Sequence, residues 1–310
     1  GEEPHVGSNS VNMYARFGAL AKTQKILYEF PYEDVHLVSW NVRISDYAQK
    51  GHGEDALRCF EEMQRRGFCP NTITYICALK ACGSIQAVEK GVKIHEEIIA
   101  KDLLEGNVMV GAALVDLYAK CGLLLRAQQI HENLSTKNVV SWSALISGYV
   151  QHGYCEEALE CFTSMQQAGF SPNAFTYSCI LKACGSIREV VKGRKFHEDI
   201  VSKGILRGDI VLGNALVDMY VKCGVLVKAQ QLLEKLPFRN VVSWSTLIAG
   251  YAEQGQSGKS LYCFKRMKHD GFSPNMVTFI CVLKACGHIG AIEKGKEIHD
   301  EIVNRGLLEK

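Results

Sequence analysis

Three segments, Leu37-Val38-Ser39-Trp40, Val139-Val140-Ser141-Trp142 and Val241-Val242-Ser243-Trp244, begin at 37, 139 and 241, so each start lies 102 residues after the one before. A period of that length, kept without insertion through a 310-residue chain, is very rarely a matter of chance and directs the fold to a repeat array. The period divides into three unequal units. Residues 139–173 make a 35-residue unit ending Gly-Phe-Ser-Pro-Asn, and 174–209 a 36-residue unit carrying Leu-Lys-Ala-Cys-Gly-Ser-Ile. Residues 210–240 make a 31-residue unit carrying Asn-Ala-Leu-Val-Asp-Met-Tyr-Val-Lys-Cys-Gly.

Each unit reads as two helices. In 139–173, Trp142, Leu145, Ile146 and Tyr149 fall at helical spacing until Gly153 breaks the pattern. A second helix follows with Ala158, Leu159, Phe162 and Met165 on one face, stopped by Gly169 and Pro172. Two short helices cannot bury their apolar stripes alone, so the hairpins must stack on their neighbours. The expected fold is all-α, a right-handed α-solenoid of about nine helical hairpins. The recurring Trp40, Trp142 and Trp244 lie on the apolar face, which favours core packing over a role as base-stacking platforms.

Composition narrows the function. No run of 18 uncharged apolar residues is present, so nothing in the sequence reads as a membrane span. The start Gly1-Glu2-Glu3-Pro4 has neither a basic nor an apolar leader segment. Net charge is +2, so a nucleic-acid-binding surface has to come from local arrangement of charge. Thirteen cysteines include no C-x-x-C, and Cys77/Cys82, Cys179/Cys184 and Cys281/Cys286 recur at one place in the repeat. They read as free, mostly buried thiols acting as small hydrophobes in a reducing compartment.

His95, His197 and His299 also recur, each followed by acidic residues. An H-E-x-x-H zinc motif would need a second histidine at 99, 201 or 303, where Ile99, Val201 and Val303 stand. The His-x-Glu of nucleotide deaminases would need a P-C-x-x-C partner, which is missing. The expectation is a structural periodicity, with no catalytic residue, no metal ligand and no cofactor.

The three unit lengths resemble the pentatricopeptide repeat family, in particular the subclass in which P, L and S repeats alternate. So do Val-Val-Ser-Trp-Ser-Ala-Leu-Ile-Ser-Gly-Tyr (139–149), Ala-Leu-Val-Asp-Met-Tyr-Val-Lys-Cys-Gly (215–224) and Leu-Lys-Ala-Cys-Gly (181–185). The resemblance covers essentially the whole chain, in the register S 4–36, P 37–71, L 72–107, S 108–138, P 139–173, L 174–209, S 210–240, P 241–275 and L 276–310. The first S repeat is two residues longer than its siblings, near Phe30-Pro31-Tyr32-Glu33-Asp34.

The resemblance implies modular reading of single-stranded RNA, one base per repeat, by the fifth residue and the last. The P repeats supply Asn41 with Asn71, Ser143 with Asn173 and Ser245 with Asn275, and one S repeat supplies Asn214 with Asn240. The S pair Ala112 with Asn138 departs from the pattern. Among L repeats, Ser178 with Asp209 is polar, whereas Ile76 and Ile280 are apolar at the fifth place. An Asn amide both donates and accepts, while a carboxylate only accepts and so suits guanine's N1–H and N2–H. Family likeness assigns Ser/Asn to adenine and Asn/Asn to a pyrimidine, giving n-Y-n-n-A-n-Y-A-n. The competing account makes these residues loop caps alone. Val38, Val140 and Val242, at the second place, would sandwich bases. Arg16, Lys120 and Lys222 in S repeats, and Lys80, Lys182 and Lys284 in L repeats, form either a phosphate track or a solvated helix face.

The function expected is therefore the targeting of transcripts in a mitochondrion or chloroplast for C-to-U editing or processing by an activity outside this chain. Such a chain reads as the targeting portion of a longer protein, with neither a transit peptide nor a deaminase-like domain within these residues. The partners expected are single-stranded RNA and, through the L repeats, a multiple-organelle-editing (MORF-like) accessory factor. End-to-end self-association through uncapped repeats is expected too. The alternative class is a helical-repeat scaffold that grips proteins.

Overall fold

A computed structural model describes residues 33–206 and 208–307, with side chains from residue 37 onward. The first S repeat and Arg16 lie outside the described residues. Sixteen α-helices are described. In the register expected from the sequence, the first P repeat holds α1 (Glu33–Gln49) and α2 (Gly53–Arg65), and the L and S repeats after it hold α3 (Thr72–Ser84), α4 (Val88–Ala100), α5 (Val108–Lys120) and α6 (Leu124–Asn133). The second P-L-S set holds α7 (Val139–Gln151), α8 (Cys155–Gln167), α9 (Ala174–Ser186), α10 (Val190–Ser202), α11 (Ile210–Lys222) and α12 (Leu226–Lys235). The last P and L repeats hold α13 (Val241–Glu253), α14 (Ser257–His269), α15 (Met276–His288) and α16 (Ile292–Asn304).

From α3 onward, the first helices start at Thr72, Val108, Val139, Ala174, Ile210, Val241 and Met276. α1 begins at Glu33, across the boundary expected at 36/37. The S repeats are the short ones because α6 and α12 have 10 residues where the second helices of P and L repeats have 13.

The start of each first helix has a chemical cause. Four N–H groups at a helix start lack intrahelical acceptors, and an Asn or Asp just ahead of the helix satisfies one of them with its side-chain oxygen. Asn71, Asn107, Asn138, Asn173, Asp209, Asn240 and Asn275 all do this. The stop is also local. Beyond α7, Gly153 takes the left-handed conformation with φ +85°, which costs glycine little and other residues about 1–2 kcal/mol.

The chain packs as two units, divided between His152 and Gly153, that is, between α7 and α8. In the first unit, α1, α3, α5 and α7 form a layer in which each helix packs on the next, with α2, α4 and α6 covering them from a second layer. The second unit repeats the arrangement, with α9, α11, α13 and α15 in one layer and the second helices against them. Trp40, Trp142 and Trp244 are buried, as are Ala158, Leu159, Phe162 and Met165. Burying a side chain the size of Phe162 is worth about 2–3 kcal/mol, so these stripes carry the stacking. Seven cysteines are buried, five are half-buried and Cys69 is exposed.

Two of the recurring histidines, His95 and His197, sit where an L repeat meets the following S repeat. His95 on α4 lies 2.9 Å (Nδ1 to hydroxyl) from Tyr118 on α5, and His197 on α10 makes the same contact with Tyr220 on α11. Burial holds both imidazoles below their ordinary pKa, helped by Arg126 in the first case and Lys228 in the second. His299 is exposed beside Asp300. Among the described residues, no group of three or more His, Cys, Asp or Glu is placed to hold a metal, and no helix is long and apolar enough to cross a membrane.

Candidate nucleic-acid interface

From Asn71 onward, the last residue of a repeat and the cap of the next first helix are one and the same side chain. In the first P repeat, Asn71 Oδ1 accepts from the Thr74 backbone N–H at 3.0 Å, while the Asn71 backbone N–H donates back to Thr74 Oγ1 at 3.1 Å. This reciprocal pair is a capping box. Asn275 and Thr278 repeat it, at 2.9 Å for the Thr278 N–H. Asn173 Oδ1 accepts from both the backbone N–H and the hydroxyl of Thr176, each at 2.9 Å. At the S-to-P junctions Asn138 and Asn240 cap through Ser141 and Ser243. At the L-to-S junctions Asn107 and Asp209 cap Val110 and Leu212, whose side chains offer no hydroxyl in return.

The loop-cap account is therefore correct as far as it goes, and it changes the chemistry expected of the asparagines. Both lone pairs of the P-repeat Oδ1 atoms are occupied within the protein. An Asn that was expected to donate and accept is left with only its Nδ2 hydrogens to offer outward. The donor half of the amide stays free because the acceptor half holds the helix.

The fifth residues come next to these caps. Asn41 Nδ2 donates to Asn71 Oδ1 at 3.3 Å, and Asn41 Oδ1 accepts from the Thr74 hydroxyl at 2.6 Å. Ser245 Oγ lies 2.7 Å from Thr278 Oγ1 and 3.5 Å from Asn275 Oδ1. The paired residues named from the sequence thus meet in both units, within one hydrogen-bonded cluster each. Ser143 is buried in the first unit, and Asn173 is exposed in the second. Asn214 and its partner Asn240 are both half-buried. Ser178 turns its hydroxyl onto the Ala174 carbonyl one turn back, at 2.9 Å, which ties its hydrogen to its own helix, and Asp209 is half-buried. Ile76 is half-buried, Ala112 buried, and Ile280 exposed.

The second-place residues form the apolar rim of this face. Val140 is 50% and Val242 55% exposed, while Val38 is half-buried. The same column continues through repeats where the sequence reading did not name it: Ile73, Met109, Phe175, Val211 and Val277 are all exposed at the second place. Their shared place in the register was the signal that identifies them. Thr74 and Thr278, at the third place, were missed as well. Only the hydroxyl geometry reveals their part.

The cations divide into two sets. Lys120 and Lys222 are tied to Asp116 and Asp218, each at 2.7 Å, so their charge is largely spent on their own helices. Lys80, Lys182 and Lys284 are exposed and have no ion-pair partner among the described residues. Exposed apolar side chains, outward amide donors and unpaired lysines recur once per repeat or once per P-L-S set. Such a face offers a planar base something to stack on, a directional edge contact, and a phosphate a countercharge.

Comparison with known proteins extends this geometry. A model of the PPR repeat family matches residues 35–84, 137–186 and 239–288, and a second PPR repeat model matches 175–205, 214–241 and 277–307. A chloroplastic pentatricopeptide repeat-containing protein of Arabidopsis thaliana is 37% identical over 284 residues, covering 92% of this chain and 45% of that protein. A mitochondrial one from the same plant is 34% identical over 312 residues, covering 94% of this chain and 34% of that protein. The chain thus spans less than half the length of these relatives. Among solved structures, the pentatricopeptide repeat protein PPR10 in complex with an 18-nt psaJ RNA element shares the fold with a TM-score of 0.73 at 20% identity, over 94% of this chain and 44% of that one.

Proposed function

Since the chain belongs to the pentatricopeptide repeat family, we propose that it binds single-stranded RNA sequence-selectively, each reading repeat contacting one base through its fifth and last residues. The observation that carries this reading is the pairing of those residues. Asn41 with Asn71, and Ser245 with Asn275, share a hydrogen-bonded cluster whose free amide hydrogens are not used by the protein. A residue that served only as a cap would need no partner thirty positions earlier. The RNA complex of PPR10 supports the same ligand class.

The base preferences follow from the free groups. Asn173 offers a donor to adenine N1, as does Asn275 beside Ser245. Asp209 offers an acceptor, which suits guanine. Val38, Val140 and Val242 flank the bases, and Lys80, Lys182 and Lys284 meet phosphates. The bound transcript is organellar, in keeping with relatives named chloroplastic or mitochondrial. There the chain positions an editing or processing activity supplied from outside these repeats. The apolar Ile76 and Ile280 do not suit a base edge and support an accessory protein at the L repeats instead.

Asn173→Asp tests the reading. Asp209 already caps Leu212 N at 2.9 Å, so an aspartate at 173 keeps the helix start. It replaces the outward donor by an acceptor, which moves the preference at that base from adenine to guanine by about 1–3 kcal/mol. Titration of both proteins against two RNAs differing only there measures the swing. Equal weakening on both RNAs would make Asn173 a cap and nothing more.

A further inference from the structure

We propose that the threonine at the third place of an L repeat, Thr74 or Thr278, is a positioning residue for base selectivity by the preceding P repeat. It does so by fixing which way hydrogen bonds run through the reading pair. This rests on the base-reading function proposed above and adds a residue to it.

The argument is a count of hydrogens. A threonine hydroxyl has one hydrogen to give and two lone pairs. Asn275 Oδ1 can only accept, so its 2.8 Å contact with Thr278 Oγ1 uses the Thr278 hydrogen. Either oxygen could donate in the 2.7 Å contact between Thr278 and Ser245, and with the Thr278 hydrogen on Asn275 it is filled by the Ser245 hydrogen. Ser245, although buried, has spent its hydrogen on Thr278 and keeps its lone pairs beside the free Nδ2 hydrogens of Asn275. An acceptor beside a donor matches adenine, whose N6–H donates and whose N1 accepts, and it opposes the O6 and N1–H of guanine.

In the first P repeat the direction reverses. Thr74 Oγ1 has two acceptors in reach, Asn41 Oδ1 at 2.6 Å and Asn71 Oδ1 at 2.9 Å, and the shorter contact takes the hydrogen. Asn41 is thereby held with its oxygen inward, and its Nδ2 points one hydrogen at Asn71 and leaves the other free. Two neighbouring donors, one on buried Asn41 and one on half-buried Asn71, are then left for a base. They match N3 and O2 of cytosine, either one can meet a carbonyl of uracil, and they meet adenine's N6–H unfavourably. One threonine therefore serves both preferences, as acceptor from Ser245 in one repeat and donor to Asn41 in the other.

The other junctions provide the contrast. At S-to-P junctions the Ser141 and Ser243 hydroxyls turn back to the backbone oxygens of Asn138 and Asn240, at 3.0 and 2.9 Å. At L-to-S junctions the third place is Val110 or Leu212, with no hydroxyl. The hydroxyl link from the third place to the fifth residue of the preceding repeat is seen at the P-to-L junctions 71/72 and 275/276.

The test uses Thr278→Val, which keeps the shape and removes the hydroxyl, and Thr278→Ser, which restores it. Each full chain is titrated with four RNAs of the form n-Y-n-n-A-n-Y-A-n that differ only at the eighth base. Wild type and Thr278→Ser should favour adenine at that base by about fivefold or more, the lower end expected of a base-edge contact. Thr278→Val should bind all four within about twofold of one another, the loss of direction removing most of that discrimination. Thr74→Val, read at the second base, gives an independent case should Thr278→Val melt early: its pyrimidine preference should fade in the same way. If either valine variant weakens on all four RNAs alike with its preference intact, the threonine is a helix cap only and the proposal is overturned. If wild type shows no preference at either base, the base-reading function itself fails.

Discussion

Single side chains at the repeat junctions serve two purposes because an amide has two ends. The acceptor end of Asn71 or Asn275 closes a helix start, and the donor end is left facing out. That an asparagine stood at those places, and which fifth residue it pairs with, was legible from spacing and resemblance. Which half of the amide remained free was not, because it depends on a threonine hydroxyl three residues further on. A second residue-scale feature lies in the core. His131 on α6 is 2% exposed, with its ring centroid 4.2 Å from that of Trp142 on α7. Burial, with Lys137 nearby, pushes its pKa down to about 4. The unfolded chain protonates this imidazole near its ordinary 6.5, whereas the folded chain resists until about 4. Stability contributed by the neutral ring is therefore fully present above pH 6.5 and lost as pH falls through that window, by up to about 3 kcal/mol. His95 and His197 shift in the same direction. Urea midpoints between pH 7 and pH 4 should fall, and His131→Leu should flatten part of that fall. An unchanged pH profile in the variant would show that His131 does not titrate between the two states.

At the scale of helices, starts were legible and close approaches were not. The Asn or Asp before each first helix marks its beginning to the residue from α3 onward, because the cap is a local chemical event. Glycines are harder to read. Gly153 and Gly148 are five residues apart in one repeat, yet Gly153 turns the chain while Gly148 sits inside α7 against α5. A Cβ at 148 would stand 2.5 Å from Ala119 Cβ and 3.1 Å from its Cα, so the backbone of α5 would have to move. Gly148→Ala should destabilise by about 1–3 kcal/mol, although alanine is the better helix former. Gly287, on α15, faces open space, and Gly287→Ala should gain up to about 1 kcal/mol from helix propensity. Denaturant unfolding of the two variants separates these cases. Equal effects would mean that α5 and α7 are not held at that distance.

For the whole molecule, the repeat period made the all-helical class and the apolar stripes readable, since stacking hairpins bury the same positions each time. It was less informative about surfaces. The second-place column is exposed in P, L and S repeats alike, though only the valines of P repeats were picked out beforehand. Two of the recurring lysines proved to be neutralised by aspartates one turn away, a pairing that only side-chain geometry reveals. What remains free is modest in charge and regular in spacing, which suits affinity assembled base by base more than strong phosphate attraction. Selection from a randomised single-stranded RNA pool, followed by sequencing of the bound fraction, measures that directly. The account predicts a nine-base pattern n-Y-n-n-A-n-Y-A-n, with adenine enriched opposite the repeats 139–173 and 241–275 and a pyrimidine opposite 37–71 and 210–240. A bound pool with no enrichment at the two adenine positions, or duplex RNA held as tightly as single strands, would contradict it.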